Sequence, residues 1–362
     1  MHSPAATSAG ATLTIDLAKI EANARLLTDR LPGLEIVAVT KAVCGSPEVA
    51  RAMLAGGPRA IGESRLANIE RLREAGIAAP IWLLRAPTPA QAADVVRLAD
   101  VSLNTELATV RALAAAAGAA GREHGVIAMV DLGDLREGLL ADDVLPFLEA
   151  VAELEHARVE GVGVNLACYG GVRPTRDNLG QLVELAKTAQ ERLGRRLRIS
   201  GGNSATLTMA LEGGLPREID DLRVGESILL GVDTLTREPL LDLHRDAFVL
   251  SAPVIECKVK PSVPVGEICQ DAFGNRPTFA QRGRRRRAIL AVGRQDTVPE
   301  VLHPVDPRVE VLGASSDHLV LDVEELDRPP AIGDRVSLVP GYAALLQSFT
   351  SPYVEKVFLP HA

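Results

Sequence analysis

The chain has 362 residues, 47% of them hydrophobic, with 47 Asp plus Glu against 39 Lys plus Arg and a formal charge of −8. That length holds two domains, or one barrel of about 250 residues with a smaller module, and the acidic balance disfavours wholesale phosphate-backbone binding. Four cysteines without a CxxC pair argue against a disulfide scaffold or structural zinc and for a reducing cytoplasm, and no apolar run reaches the ~18 residues of a membrane span.

Residues 1–20 open small and polar, without the charged-then-apolar layout of a leader, and carry one strand, Thr12–Asp16, expected to join a later β-domain. Over residues 21–244 a short apolar strand followed by a helical stretch recurs eight times. The strands are read at Glu35–Lys41, Arg59–Glu63, Pro80–Arg85, Val101–Asn104, Val126–Asp131, Val159–Leu166, Leu197–Gly201 and Leu222–Ile228. Continuous apolar runs such as Val126-Ile127-Ala128-Met129-Val130 suit parallel strands buried on both faces. The count predicts a (β/α)8 TIM barrel, with an open doubly wound sheet as the alternative. From residue 245 to 362 Pro-, Gly- and Val-rich short segments replace the long helices, which predicts a C-terminal, mainly-β domain.

Barrel chemistry sits at the C-terminal strand ends. The first barrel strand runs through Ile36-Val37-Ala38-Val39-Thr40 into Lys41. A lysine whose stem lies in an apolar strand end is desolvated, which lowers its pKa as a Schiff-base amine requires; a lysine snorkelling into water fits the position equally well. The seventh strand ends in Ser200-Gly201-Gly202-Asn203-Ser204, and the eighth leads into Arg223-Val224-Gly225-Glu226-Ser227. Two Gly/Ser loops there form the usual place for a phosphate in a barrel. Together with Lys41 they suggest a phosphate-bearing cofactor that forms an imine, pyridoxal 5′-phosphate. The seven histidines show no metal-ligand spacing, so no metal is expected. Arg284-Arg285-Arg286-Arg287 lacks flanking aromatic platforms, and it is read as an exposed strand or hairpin rather than a nucleic-acid site.

Val37-Ala38-Val39-Thr40-Lys41-Ala42, Asp131-Leu132-Gly133-Asp134-Leu135-Arg136-Glu137-Gly138, Asn203-Ser204 and Arg223-Val224-Gly225 resemble motifs of the alanine racemase-like, fold-type III pyridoxal-phosphate enzymes. The wording of Gly62-Glu63-Ser64-Arg65, Gly225–Gly231 and Asp271-Ala272-Phe273-Gly274-Asn275 is most similar to the ornithine racemase branch. The resemblance implies that Lys41 holds the cofactor and acts as one catalytic base. It assigns the phosphate to Ser204 and the amides of Gly225 and Glu226, and the pyridine nitrogen to Arg223. An arginine keeps its proton, so the ring drains less charge from the substrate carbanion, and this suits racemisation. Arg136 is implied near the cofactor hydroxyl or the substrate carboxylate. Asn165 is read as a contact of Asn203 or as a strand-end amide. Tyr353 is read as a phosphate contact or a packing residue.

Relatives take their second base, a tyrosine, from the partner subunit's β-domain, and the matching stretch Val265–Gly274 contains none. Asp271 falls nearest in register, with Cys269 two residues before it; either would serve as a base if burial raised its pKa. Asp271 would alternatively pair a cationic substrate side chain, with Asp134 and Glu137 adding negative charge. The resemblance therefore implies an isomerase, a racemase of a basic amino acid such as ornithine, working as a head-to-tail homodimer. The alternatives are an alanine or broad-specificity racemase, a diamino-acid decarboxylase, and a non-catalytic cofactor carrier.

Overall fold

Apolar strands that need cover on both faces find it by closing on themselves inside a ring of helices. In the computed structural model, which describes residues 10–359, β2 (Glu35–Val39), β3 (Ala60–Glu63), β4 (Ile81–Leu83), β5 (Val101–Asn104), β6 (His124–Val130), β7 (Ala157–Val164), β8 (Arg198–Asn203) and β9 (Asp221–Val224) form a closed parallel barrel. Closure is direct: β2 pairs with β9, placing Val37 opposite Arg223 and Ala38 opposite Val224. The barrel interior is filled by Val37, Ala60, Trp82, Val101, Leu103, Ile127 and Met129, so it is a packed core. Gly161 in β7 is required by contact, since a Cβ there would lie 2.0 Å from the Arg198 carbonyl oxygen of β8.

The helices of this unit are α1 (Leu17–Arg30), α2 (Pro47–Ala55), α3 (Leu66–Glu74), α4 (Ala92–Leu98), α5 (Leu107–Ala119), α6 (Ala141–Ala152), α7 (Arg176–Leu193), α8 (Leu207–Leu211) and α9 (Glu226–Leu230). Their limits follow local chemistry. Ser46 caps α2 ahead of Pro47, Thr175 and Asn178 form a reciprocal cap on α7, and Gly194 ends α7 at φ 64°. The segment 226–228, read from sequence as the tail of a strand, is instead the start of α9, because the strand stops at Val224 and Gly225 turns the chain.

The chain divides into two compact units, Leu17–Arg245 and a second formed by the opening segment through Asp16 with Asp246 onward. The first nine residues and the last three, including most of the stretch read as lacking a leader, lie outside the described residues. The second unit holds β1 (Thr12–Asp16), β10 (Phe248–Pro261), β11 (Arg284–Leu290), β12 (Leu302–Pro304), β13 (Glu310–Ala314), β14 (Leu319–Asp322), β15 (Arg335–Pro340), α10 (Tyr342–Thr350) and β16 (Glu355–Leu359). Its sheet runs β12-β15-β10-β11-β14-β13, mostly antiparallel, with β1 pairing β10 and β16. The arginine run lies on β11 and is less exposed than a bare basic patch. Arg285 pairs Asp322 and Glu325, and Arg287 donates to the Ser262 carbonyl.

Candidate active site

Lys41 does not end its strand. β2 stops at Val39, Thr40 is fully buried, and Lys41 opens a single 3-10 turn, Lys41–Val43. The turn is held from below: Thr40 N donates to the Gly62 carbonyl at 3.0 Å and Thr40 Oγ1 to Glu63 Oε2 at 3.0 Å. Glu63 is itself fully buried, and its other oxygen accepts from Ser64 N at 2.6 Å. The lysine backbone is therefore fixed while its side chain is exposed, which favours the snorkelling alternative over a dry stem.

Across the β2–β9 seam, Ser204 Oγ accepts from Gly225 N at 3.2 Å, so the hydroxyl proton of Ser204 remains to be donated to a ligand. Gly225 is a glycine for a reason of space: a Cβ would sit 3.0 Å from both Val39 Cβ and the Val39 carbonyl. Glu226 opens α9 with its carboxylate paired to Arg237; burial pushes it up from its usual range, against the pull of Arg237 and of Lys41. Asn203 Nδ2 donates to Asn165 Oδ1 at 3.0 Å and to the Leu166 carbonyl at 2.8 Å, tying the ends of β7 and β8 together. Turned the other way, the Asn165 amide would lose the bond from Asn203 and present its oxygen to Arg136 Nη1 and Nη2 at 3.1 and 3.3 Å.

Arg223 is 5% exposed and donates to Ser200 Oγ and to the Val164 carbonyl. Burial lowers its pKa from the ordinary arginine value, against the attraction of Asp221. Ser200 Oγ lies 2.5 Å from Asp221 Oδ1, and Asp221, fully buried at the start of β9, also accepts from Arg198 at 3.3 Å. Burial pushes the Asp221 carboxyl up to about 6, although Ser200, Arg223 and Arg198 all favour its charged form. Reading only C-terminal strand ends missed this group. Its sequence signal was a charge set in an apolar strand, Ile219-Asp220-Asp221-Leu222.

On the loop after β6, Arg136 clasps Glu137 and donates to Cys168 Sγ at 2.9 Å. Asp134 is 1% exposed and accepts from the amides of Cys168, Tyr169 and Val172. Burial raises the Asp134 carboxyl, but those amides outweigh it and hold the group below the carboxylate range. The expected negative charge from Asp134 and Glu137 is thus spent inside the protein, one on a loop and one on Arg136.

In the β unit, Cys269 and Asp271 lie exposed in the segment between β10 and β11. Asp271 Oδ1 accepts from Asn275 N at 2.8 Å and Phe273 N at 2.9 Å, and these amides hold its carboxyl below the usual range. This is the opposite of the burial-driven rise a base would need. Tyr353 is 68% exposed, and its backbone N–H donates to Ser351 Oγ at 3.1 Å. Among the described residues no three His, Cys, Asp or Glu side chains come together as metal ligands.

The barrel-mouth donor set fits pyridoxal 5′-phosphate. A primary amine, a hydroxyl beside a helix start and a buried guanidinium on adjoining strands match its aldehyde, its phosphate and its ring nitrogen.

The family described as alanine racemase, N-terminal domain, matches residues 15–232. The chain is 41% identical over 351 residues to the ornithine racemase of Acetoanaerobium sticklandii, covering 96% of this chain and 99% of that one. It is 39% identical over 352 residues to the lysine racemase of Thermotoga maritima, covering 96% and 98%. Among solved structures, the alanine racemase of Streptomyces lavendulae superposes with a TM-score of 0.74 at 21% identity, over 99% of each chain. That of Bartonella henselae, solved with covalently bound pyridoxal phosphate, gives 0.73 at 20% identity, over 97% of this chain and all of that one. With a family match over more than half its length and relatives near 40% identity end to end, this chain belongs to the alanine racemase N-terminal-domain family.

Proposed function

We propose that the chain is a pyridoxal 5′-phosphate-dependent isomerase that racemises an amino acid, and that the amino acid is basic, with ornithine first. The observation that carries this is near-full-length similarity to an ornithine and a lysine racemase, joined to a barrel mouth bearing Lys41, Ser204 and Arg223.

When bound, the cofactor withdraws electrons from the substrate Cα, so that its proton can leave. Lys41 holds the cofactor and moves that proton on one face of Cα. Ser204 donates its hydroxyl proton to the phosphate, beside the amides of Gly225 and Glu226. Arg223 keeps its proton and faces the ring nitrogen as a fixed cation. Arg136, steadied by Glu137, orients the substrate carboxylate. Asp271, whose amide contacts favour the ionised form, pairs the distal ammonium of the substrate. The working unit is a head-to-tail homodimer, consistent with the exposed Val265 and Phe273 near Asp271. The cytoplasm is the proposed compartment: four free cysteines suit reducing conditions, and among the described residues no helix is long and apolar enough to cross a membrane.

The test is a racemisation assay with ornithine, lysine and alanine, with borohydride reduction of the cofactor-loaded protein. Ornithine or lysine is expected to be turned over roughly tenfold or more better than alanine in kcat/KM, the scale of one charge-assisted contact. The reduced label is expected on Lys41 and absent from Lys41→Ala. Equal or better use of alanine would overturn the substrate assignment, and protein that takes up no label would overturn the cofactor.

A further inference from the structure

The interior of this barrel carries charges that the proposed chemistry does not itself use. A guanidinium buried as deeply as that of Arg223 needs a compensating anion close by. Among the described residues none touches it directly. The nearest carboxylate on its own strand, Asp221, is one hydroxyl away: Ser200 Oγ stands 2.5 Å from Asp221 Oδ1 and accepts from Arg223 Nη1. A hydroxyl has one proton to give, and Arg223 can only donate, so the direction of the chain is fixed. Ser200 donates to Asp221 and receives from Arg223. The second Arg223 nitrogen, Nη2, is taken by the Val164 carbonyl at the end of β7. Behind Asp221 the series continues through Arg198, which bonds Asp221 at 3.3 Å and Glu35 at 2.6 Å and lies over the Trp82 ring.

We propose that Asp221, acting through the Ser200 hydroxyl, is a positioning residue for Arg223, fixing the plane of the guanidinium and balancing its charge where it meets the cofactor ring. The inference rests on the reading of Arg223 as the partner of the ring nitrogen. An arginine side chain has four rotatable bonds, and two anchored nitrogens remove most of that freedom. A balanced guanidinium presents the ring with a donor that does not surrender its proton. An unbalanced one acts on the ring as a bare positive charge, draws more electron density from the substrate carbon, and favours leaving the amino group on the cofactor with release of an α-keto acid.

The variants are Ser200→Ala, which cuts the relay and leaves both ions, Ser200→Thr, which keeps the hydroxyl, Asp221→Asn and the double Ser200→Ala/Asp221→Asn. Each is loaded with pyridoxal 5′-phosphate, checked for folding by thermal melting, and read by the absorption spectrum of the bound cofactor, by its dissociation constant and by α-keto acid formed per racemisation. Ser200→Ala is expected to shift the spectrum and to raise the keto-acid fraction roughly tenfold, the scale seen when an outer partner of a held group is lost. Ser200→Thr should match wild type, and the double variant should show no more than the larger single effect, as members of one relay do. A wild-type spectrum, affinity and product ratio in Ser200→Ala would overturn the proposal even if Asp221→Asn fails to fold, and so would single effects that add fully. Wild-type protein that binds no cofactor would instead remove the reading of Arg223, and this inference with it.

Discussion

His124 shows how much a single buried titratable group governs in this chain. It opens β6 fully buried, with Nε2 2.8 Å from Ser102 Oγ and, among the described residues, no hydrogen-bond partner for Nδ1. Burial, with the nearby Arg122 adding to it, brings its pKa from 6.5 down to about 4. The unfolded chain therefore binds a proton that the folded chain refuses. Its contribution to stability is whole above pH 6.5, falls as the pH drops from 6.5 to 4, and changes no further below that. The shift corresponds to about 3 kcal/mol over the window. Asp221, pushed up by burial, works in the other direction over much of the same range, so the informative quantity is a difference. Denaturant midpoints of wild type and His124→Asn, measured from pH 7 to 4, should converge as the pH falls. A constant gap between the two curves would show that His124 accepts its proton in the folded state.

Between the strands the loops depend on a few side chains that replace missing backbone partners. Asp134 organises the turn after β7 from the loop after β6 by accepting its amides, so Asp134→Ala should loosen residues 167–172 more than it perturbs the barrel. Hydrogen bonds to a carboxylate carry more than ordinary ones, and the loss should be about 2 kcal/mol, with limited proteolysis near Tyr169. An unchanged melting temperature and an uncut loop would contradict that role. The same contacts explain what sequence could and could not deliver. The eight barrel strands were legible because continuous apolar runs between Gly and Pro breaks have few other uses, and Val101–Asn104 matches its strand at both ends. The β-domain was legible by its change of texture, but α10 was not, since Tyr342-Ala343-Ala344-Leu345-Leu346 sits in a region of short strands and carries no sequence cap. At the candidate site, Lys41, Ser204 and Arg223 drew notice because they stand at or within two residues of strand ends. Asp134 was read as pocket charge because its donor amides come from residues 34 to 38 positions away, a pairing that no local pattern reveals.

At the scale of the whole molecule, the proposed chemistry requires groups from both units of the chain, Lys41 from the barrel and Asp271 from the β unit. In the proposed two-fold head-to-tail dimer each β unit would serve its neighbour, and the two halves of a site would come from different chains. On the proposed roles, Lys41→Ala lacks the group that holds the cofactor, whereas Asp271→Ala keeps it and loses only the proposed partner of the substrate ammonium. Both should be nearly inactive towards ornithine alone. When they are mixed and allowed to exchange, half of the dimers are hybrids, and each hybrid contains one site with neither defect and one with both. Racemisation should return to roughly a quarter of wild-type activity per chain, the value set by counting sites in a closed pair. Mass measurement of the mixed dimers establishes that exchange has occurred. Hybrids without recovered activity would place both groups in sites built from one chain, and full activity of Asp271→Ala by itself would remove Asp271 from the site.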